Sequence, residues 1–420
     1  MTPQGISARL MPTAYAGLLA LSFMGYPLVA GASLALGGYE RGASVAFRGV
    51  MLALALTVLG MASVQRLRWP RGAILIVGAF WFALLVRFLW DLSIVSLPID
   101  LPWDEYLITI LGVTFVPALA LARLPDLECL QRAASQMRVL GIIASMGVAA
   151  GVYALLEEIQ KMGRLGFESL NPISVGHMGV TLVIVAVFAG SRGRLGMLIR
   201  VLAALLGFVL TIASGSRGPA LALAIALIVG TLASSYRRGG LAKALLVGMV
   251  TLVLMSAATV AVLQSSLAAT LPFISRIADA ASGRGDQSTS DRNELMTGAL
   301  QEFEEAPLTG ASFVERKIRF YPHNVVVETA MTTGFLGLAL LTLIFATSVL
   351  ACLSLLSSPH AWLGLVYLQY FVSAMVSGSL YFDGTFWAVT LALLGAWHLY
   401  RGRVTGKLPS APSQVAGVSR

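Results

Sequence analysis

Apolar residues run along this chain in blocks long enough to cross a bilayer, separated by short polar breaks. A helix needs about 20 mostly apolar residues to traverse the hydrocarbon. Such blocks fall near residues 12–36, 46–63, 72–90, 105–122, 139–156 and 173–190, and again near 195–213, 218–235, 242–264, 326–355, 361–379 and 384–400. The short alternating segments that mark a transmembrane barrel are not evident. The pattern therefore predicts an all-α, polytopic membrane protein of about 12 transmembrane helices. Several blocks are rich in Gly and Ala, which suits close helix packing in lipid. The predicted organisation is nine helices over residues 1–263, an outer loop with short helices over 264–325, three helices over 326–402 and a disordered tail over 403–420.

Composition agrees with this reading. Of 420 residues, 57% are hydrophobic and 12% charged, too few charges to cover a soluble fold. Charge supplies an orientation. Placing the N-terminus in the cytoplasm puts Arg9, Arg66, Arg68, Arg71, Arg123, Arg132, Arg138, Arg192, Arg194 and Arg200 inside, followed by Arg237, Arg238, Lys243 and the tail cations. The inner face then holds 17 of 29 basic residues and 2 of 20 acidic ones, as the positive-inside rule requires. Both termini are thus expected in the cytoplasm and the one large loop in the periplasm. The net charge of +9 is an orientation signal, with no nucleic-acid partner implied. The first block follows Arg9 and exceeds a signal-peptide core, so it reads as an uncleaved anchor. Cys129 and Cys352 offer no disulfide framework.

Three breaks lie outside: Glu157–Leu170, the Ser214–Pro219 turn and the stretch Gln264–Tyr321. Within the last, Leu271, Phe273, Ile274 and Ile277 suggest a short interfacial helix, and Gly283–Ser290 a polar linker. A second helix is expected to start at Asp291, capped with Glu294 in the manner of a capping box, and to carry an apolar stripe of Met296, Leu300 and Phe303 before Pro307 ends it.

The sequence offers little for a transporter. Transporters place ionisable residues or broken helices near mid-membrane, whereas Arg87, Asp91, Glu328 and Asp383 sit near outer helix ends and no matching halves are visible. The polar residues collect on the outer face. Arg217, in the turn Ser214-Gly215-Ser216-Arg217-Gly218-Pro219, reads as an interfacial anchor or as a planar fork fit for phosphate or pyrophosphate. Arg292 stands where a cation opposes the helix dipole, either as a solvated charge or for a ligand's sake. Arg276, Arg284, Arg316, Lys317 and Arg319 are weaker candidates. His323, in Tyr321-Pro322-His323-Asn324, lies at a helix start with arginines nearby, a setting that keeps imidazole neutral and able to act as a base. His177 is a second choice, and His360 and His398 belong to the other face. There is no zinc spacing, Walker loop, nucleophile elbow or Asp-x-Asp pair.

These features resemble the bacterial O-antigen ligase and O-antigen polymerase superfamily, membrane glycosyltransferases that use undecaprenyl-pyrophosphate-linked glycans. Four stretches carry the resemblance: Arg164-Leu165-Gly166-Phe167 with Asn171-Pro172-Ile173; Ser216-Arg217-Gly218; Arg292 with Pro307 and Gly310; and His323-Asn324 with Glu328, Gly334 and Gly337. Leu295 and Met296 stand where the family often has an aromatic residue after the arginine.

The resemblance implies an inner-membrane enzyme that performs an inverting, metal-independent transfer without a cofactor. His323 would serve as general base and Arg217 and Arg292 would neutralise the leaving pyrophosphate. Arg164, Asn324, Ser216 and Tyr321 would bind substrate. The acceptor would be lipid A–core for a ligase, the preferred reading, or another lipid-linked glycan for a polymerase. A lipid-linked glycan flippase stays open as a different class. It would need the arginines but no base.

Overall fold

The computed structural model describes residues 3–36, 40–95, 102–154, 170–191, 193–264 and 287–405, and among these it contains helices and no strand. Thirteen α-helices lie among the described residues. They are α1 (Pro3–Ala35), α2 (Glu40–Val64), α3 (Arg71–Trp90), α4 (Trp103–Ile108), α5 (Val116–Leu121), α6 (Glu128–Ala154) and α7 (Pro172–Phe188). They continue with α8 (Gly193–Ala213), α9 (Arg217–Gln264), α10 (Gln287–Glu305), α11 (Val325–Leu356), α12 (Ala361–Val376) and α13 (Gly384–Val404). Wider π-helical turns extend α3 through Asp91–Val95 and join α4 to α5 through Thr109–Phe115.

Among the described residues each apolar block of the sequence falls largely on helix, but fewer than the expected twelve helices are long and apolar enough to count as spans. Eight helical stretches among the described residues are long and apolar enough to cross a membrane, and Pro172–Phe188 and Ala361–Val376 are apolar but shorter. The blocks at 218–235 and 242–264 share one helical run, α9, broken at Gly239 and Gly240, the latter at φ +72°. Glycine there permits a change of direction without unwinding a full turn. The chain is a multi-pass membrane protein on these grounds.

The core is built around α1, which packs along α6 and α2 and also touches α7 and α13. Helices α12 and α13 are mostly buried, from Trp362 to Ala374 and from Phe386 to Ala396. By contrast α8 exposes Leu195, Leu198, Leu205 and Phe208, a face suited to lipid. Glycines set the tightest approach: a Cβ on Gly179 of α7 would lie 2.5 Å from the Gly207 carbonyl oxygen of α8.

The described part of the loop before α11 is tied down firmly. Helix α10 begins at Gln287, so Asp291 lies inside it and does not cap it, and Gln287–Ser290 belong to the helix instead of a linker. Its buried face is Leu295, Ala299 and Glu302, while Leu300 is exposed and Met296 and Phe303 are partly buried. Glu302 is a buried carboxylate because it accepts the Arg316 backbone N–H at 2.6 Å; burial still raises its pKa. Arg316 and Lys317 reach back to Glu305 and Glu294 of α10, each at 2.6 Å.

Two glycines join this loop to α11. Gly334 interrupts the helix at φ +63°, and Gly310 faces it at φ +77°; a Cβ on either would stand 2.3–2.5 Å from backbone of the opposite segment. The freed helical groups are satisfied across the gap, with Phe335 N–H donating to Pro307 (2.8 Å) and Ala311 N–H to Met331 (2.8 Å). From α3, Arg87 pairs with Asp91 at 2.8 Å and donates to the carbonyls of Gly310 and Ala311, while Asp91 accepts the Phe313 N–H at 2.6 Å. These helix-end charges are therefore structural bolts.

Candidate functional site at the end of helix α12

The site forms where α12 stops. Asn324 caps α11, its Oδ1 accepting from Val326 and Val327 N–H at 2.9 and 3.2 Å. Its amide turns the other way and donates to the Met375 carbonyl at 2.9 Å. One carbonyl further on, Val376 accepts a bond from the Arg292 guanidinium at 3.2 Å. The third carbonyl, of Ser377, attracts the His323 ring. The last carbonyls of a helix lack internal partners, and here three residues from α10 and the segment before α11 gather on them.

Of the remaining sequence candidates, Ser216 and Arg217 precede Gly218, which lies against α12, but neither lines the cavity described below. Arg217 is exposed and opens α9, and a Cβ on its neighbour Gly218 would meet Val376 at 3.4 Å. Ser216 is buried, but its hydroxyl points into its own turn, donating to the Ser214 carbonyl at 3.4 Å. Arg164, Arg276, Arg284 and the 271–277 segment lie outside the described residues.

His323 is held in an uncommon backbone conformation, φ +58°, of the kind that concentrates at functional sites. Its ring meets Tyr321 nearly edge-on at 4.6 Å, and Tyr321 stacks on Phe320 at 4.3 Å. Burial first, and the Arg292 charge second, push its pKa down to about 4, against a weaker pull from Ser377. The imidazole is therefore neutral at physiological pH, and its Nδ1 is buried without a hydrogen-bond partner among the described residues. Tyr321 moves the other way: burial and the carboxylates of Glu328 and Asp383 raise its pKa, so it stays protonated.

His323, Arg292 and Tyr321 line a cavity of about 400 Å³, shared with Arg48, His177 and Asp383. Its opposite wall comes from α1 and α2. Arg48 enters from α2 and donates to Thr109 Oγ1 at 3.3 Å. Asp383 caps α13 by accepting the Phe386 N–H at 3.0 Å, and burial lifts its pKa to about 6. Behind the cavity, fully buried Glu328 fixes the segment after α12 by accepting from the Ser379 hydroxyl (3.2 Å) and the Leu380 N–H (2.9 Å). Among the described residues no three His, Cys, Asp or Glu side chains converge as a metal site.

Sequence reasoning missed the end of α12, where Ser373, Ser377 and Ser379 line or back the cavity, and it missed Arg48. The serines form no motif. Arg48, however, is a cation two residues inside an apolar block, and that was a readable signal.

The cavity can hold an anion against Arg292 and Arg48 while offering an unprotonated imidazole beside it. No curated protein matches the chain. Residues 201–342, which contain Ser216, Arg217, Arg292, Tyr321, His323 and Asn324, match the family model for O-antigen ligase, so this third of the chain is similar to that family.

Proposed function

We propose that this protein is an inverting glycosyltransferase of the bacterial inner membrane that moves a glycan from undecaprenyl pyrophosphate to a sugar hydroxyl on the periplasmic side, with lipid A–core as acceptor. His323 removes the proton from the acceptor hydroxyl through its unpaired ring nitrogen. The hydroxyl oxygen attacks the anomeric carbon from the face opposite the pyrophosphate. The old carbon–oxygen bond breaks as the new one forms, and undecaprenyl pyrophosphate leaves with the electron pair. Arg292 and Arg217 neutralise the growing charge on its oxygens. Asn324 keeps His323 in place by bridging the start of α11 to the end of α12, and Tyr321 packs against its ring. A transfer of this kind needs no metal when arginines stabilise the leaving group.

The observation that carries this reading is the neutral, half-buried His323 beside Arg292 on the rim of a cavity. A flippase needs cations for pyrophosphate but no base. The test is transfer by the purified protein, in EDTA, from an undecaprenyl-pyrophosphate oligosaccharide. Product on lipid A–core is the expected outcome. Glycan ladders from donor alone would make the enzyme a polymerase. Absence of transfer with donor still bound would leave the flippase.

A further inference from the structure

A second cavity, of about 1010 Å³, opens at the other end of the bundle, between the α2–α3 turn and the last turns of α13. Helix α13 begins at the first cavity and runs 21 residues away from it, about 30 Å at the α-helical rise. Arg66, Arg68 and Arg71 come from the turn and Arg401 and His398 from α13, and no Asp or Glu lines the space. Elements more than 300 positions apart in sequence thus bring four arginines around one void.

Charge bias alone does not require this arrangement. Other arginines in the cytoplasmic segments of the predicted topology are consumed by the fold. Arg123 donates to Ala62 and Leu67 carbonyls (2.9 and 2.7 Å), Arg138 to those of Val185 and Ala189 (3.3 and 3.1 Å), Arg200 to that of Ala186 (2.6 Å) and Arg237 to that of Ser358 (2.8 Å). Arg66, Arg68 and Arg71 are exposed and form no ion pair or side-chain hydrogen bond among the described residues. Arg66 is moreover held at φ +53°, in the left-handed region. Arg401 lies over the Trp397 ring at 4.8 Å, and the indole N–H of Trp397 is buried with no acceptor among the described residues. Like charges so placed repel unless an anion joins them, and the unused indole donor points to an acceptor missing from the fold.

We propose that this cavity binds a phosphate-bearing anion, with the guanidinium forks of Arg68, Arg71 and Arg401 on the phosphate oxygens and the Trp397 N–H as a further donor. Ile76 and Leu394 give one wall an apolar character, so an anionic phospholipid headgroup with its glycerol fits, and a free phosphate uses the same donors.

The full-length protein in nanodiscs tests this by native mass spectrometry and thermal shift. Three additions are compared: phosphatidylglycerol, phosphatidylcholine, and inorganic phosphate without added lipid. Wild type is set beside Arg68→Gln/Arg401→Gln and beside Arg194→Gln/Arg238→Gln, which removes equal charge from exposed positions outside the cavity. Retention of phosphatidylglycerol over phosphatidylcholine, reduced about tenfold in the first double variant and unchanged in the second, supports a lipid-borne ligand. Saturable stabilisation by phosphate, lost only in the first variant, supports a free anion at the same site. Equal losses in both double variants, or no preference for any phosphate anion, overturns the proposal.

Discussion

At the first cavity the lining arginines are held: Arg292 donates to the Val376 carbonyl and Arg48 to Thr109 Oγ1. Around the second cavity, Arg66, Arg68 and Arg71 stand exposed, with no such anchors. Fixed cations suit chemistry, because a group aimed in advance at developing charge need not reorganise as the reaction proceeds. Exposed cations suit an exchanging ligand that supplies its own complementary shape. The same residue type thus points to transfer at one end and to retention of an anion at the other.

The comparison can be broken most severely at Arg292. If its fixed guanidinium stabilises the leaving pyrophosphate, Arg292→Ala lowers the turnover rate of glycan transfer by about 100-fold or more. Arg292→Lys recovers only part of this, because an ammonium cannot form a planar fork. Steady-state assays on the purified variants check both. Next in size is the anchorage of the loop. Ala at Gly334 must adopt φ +63° with its Cβ 2.5 Å from the Leu308 backbone, a cost of about 1–3 kcal/mol. Thermal unfolding in detergent should show the loss, and a change at exposed Gly42, where a Cβ meets nothing within 4 Å, should not.

Asp383→Asn sharpens the assignment of the base. The carboxylate lines the same cavity with a pKa near 6; as a helix cap alone, its amide variant retains transfer within about tenfold. A larger loss would move the proton-accepting role from His323 to Asp383. The smallest effect concerns pH. Imidazole accepts a proton only when neutral, and His323 is pushed down from 6.5 to about 4. The rate of transfer is therefore flat through neutral pH and falls as pH drops through about 4. Because the Arg292 charge contributes to that lowering, the acid limb of the residual activity of Arg292→Gln should move to higher pH.

The helices were legible because lipid imposes a composition, not merely a pattern, and each apolar block falls largely on helix among the described residues. The loop was less so. The start of α10 at Gln287 is written in Gln, Ser and Thr, which carry no apolar periodicity. Its buried face escaped notice because Glu302 reads as polar until the Arg316 N–H that accompanies it is known. At the site, His323, Asn324 and Arg292 stood out as chemistry-bearing residues at a helix start and in the loop. Their meeting point did not, since backbone carbonyls at the end of α12 have no sequence signature. Arg48 and Asp383 reach the cavity from helices distant in sequence, a neighbourhood only the tertiary fold creates.

The central claim is that His323 acts on the proton while the cations around it hold the donor. Single-turnover transfer at saturating donor, with donor binding measured on the same sample, tests it in wild type and His323→Ala. The account predicts affinity within about threefold of wild type and a transfer rate reduced 10²- to 10⁴-fold, roughly the contribution of a general base. Transfer at the wild-type rate in His323→Ala would contradict it.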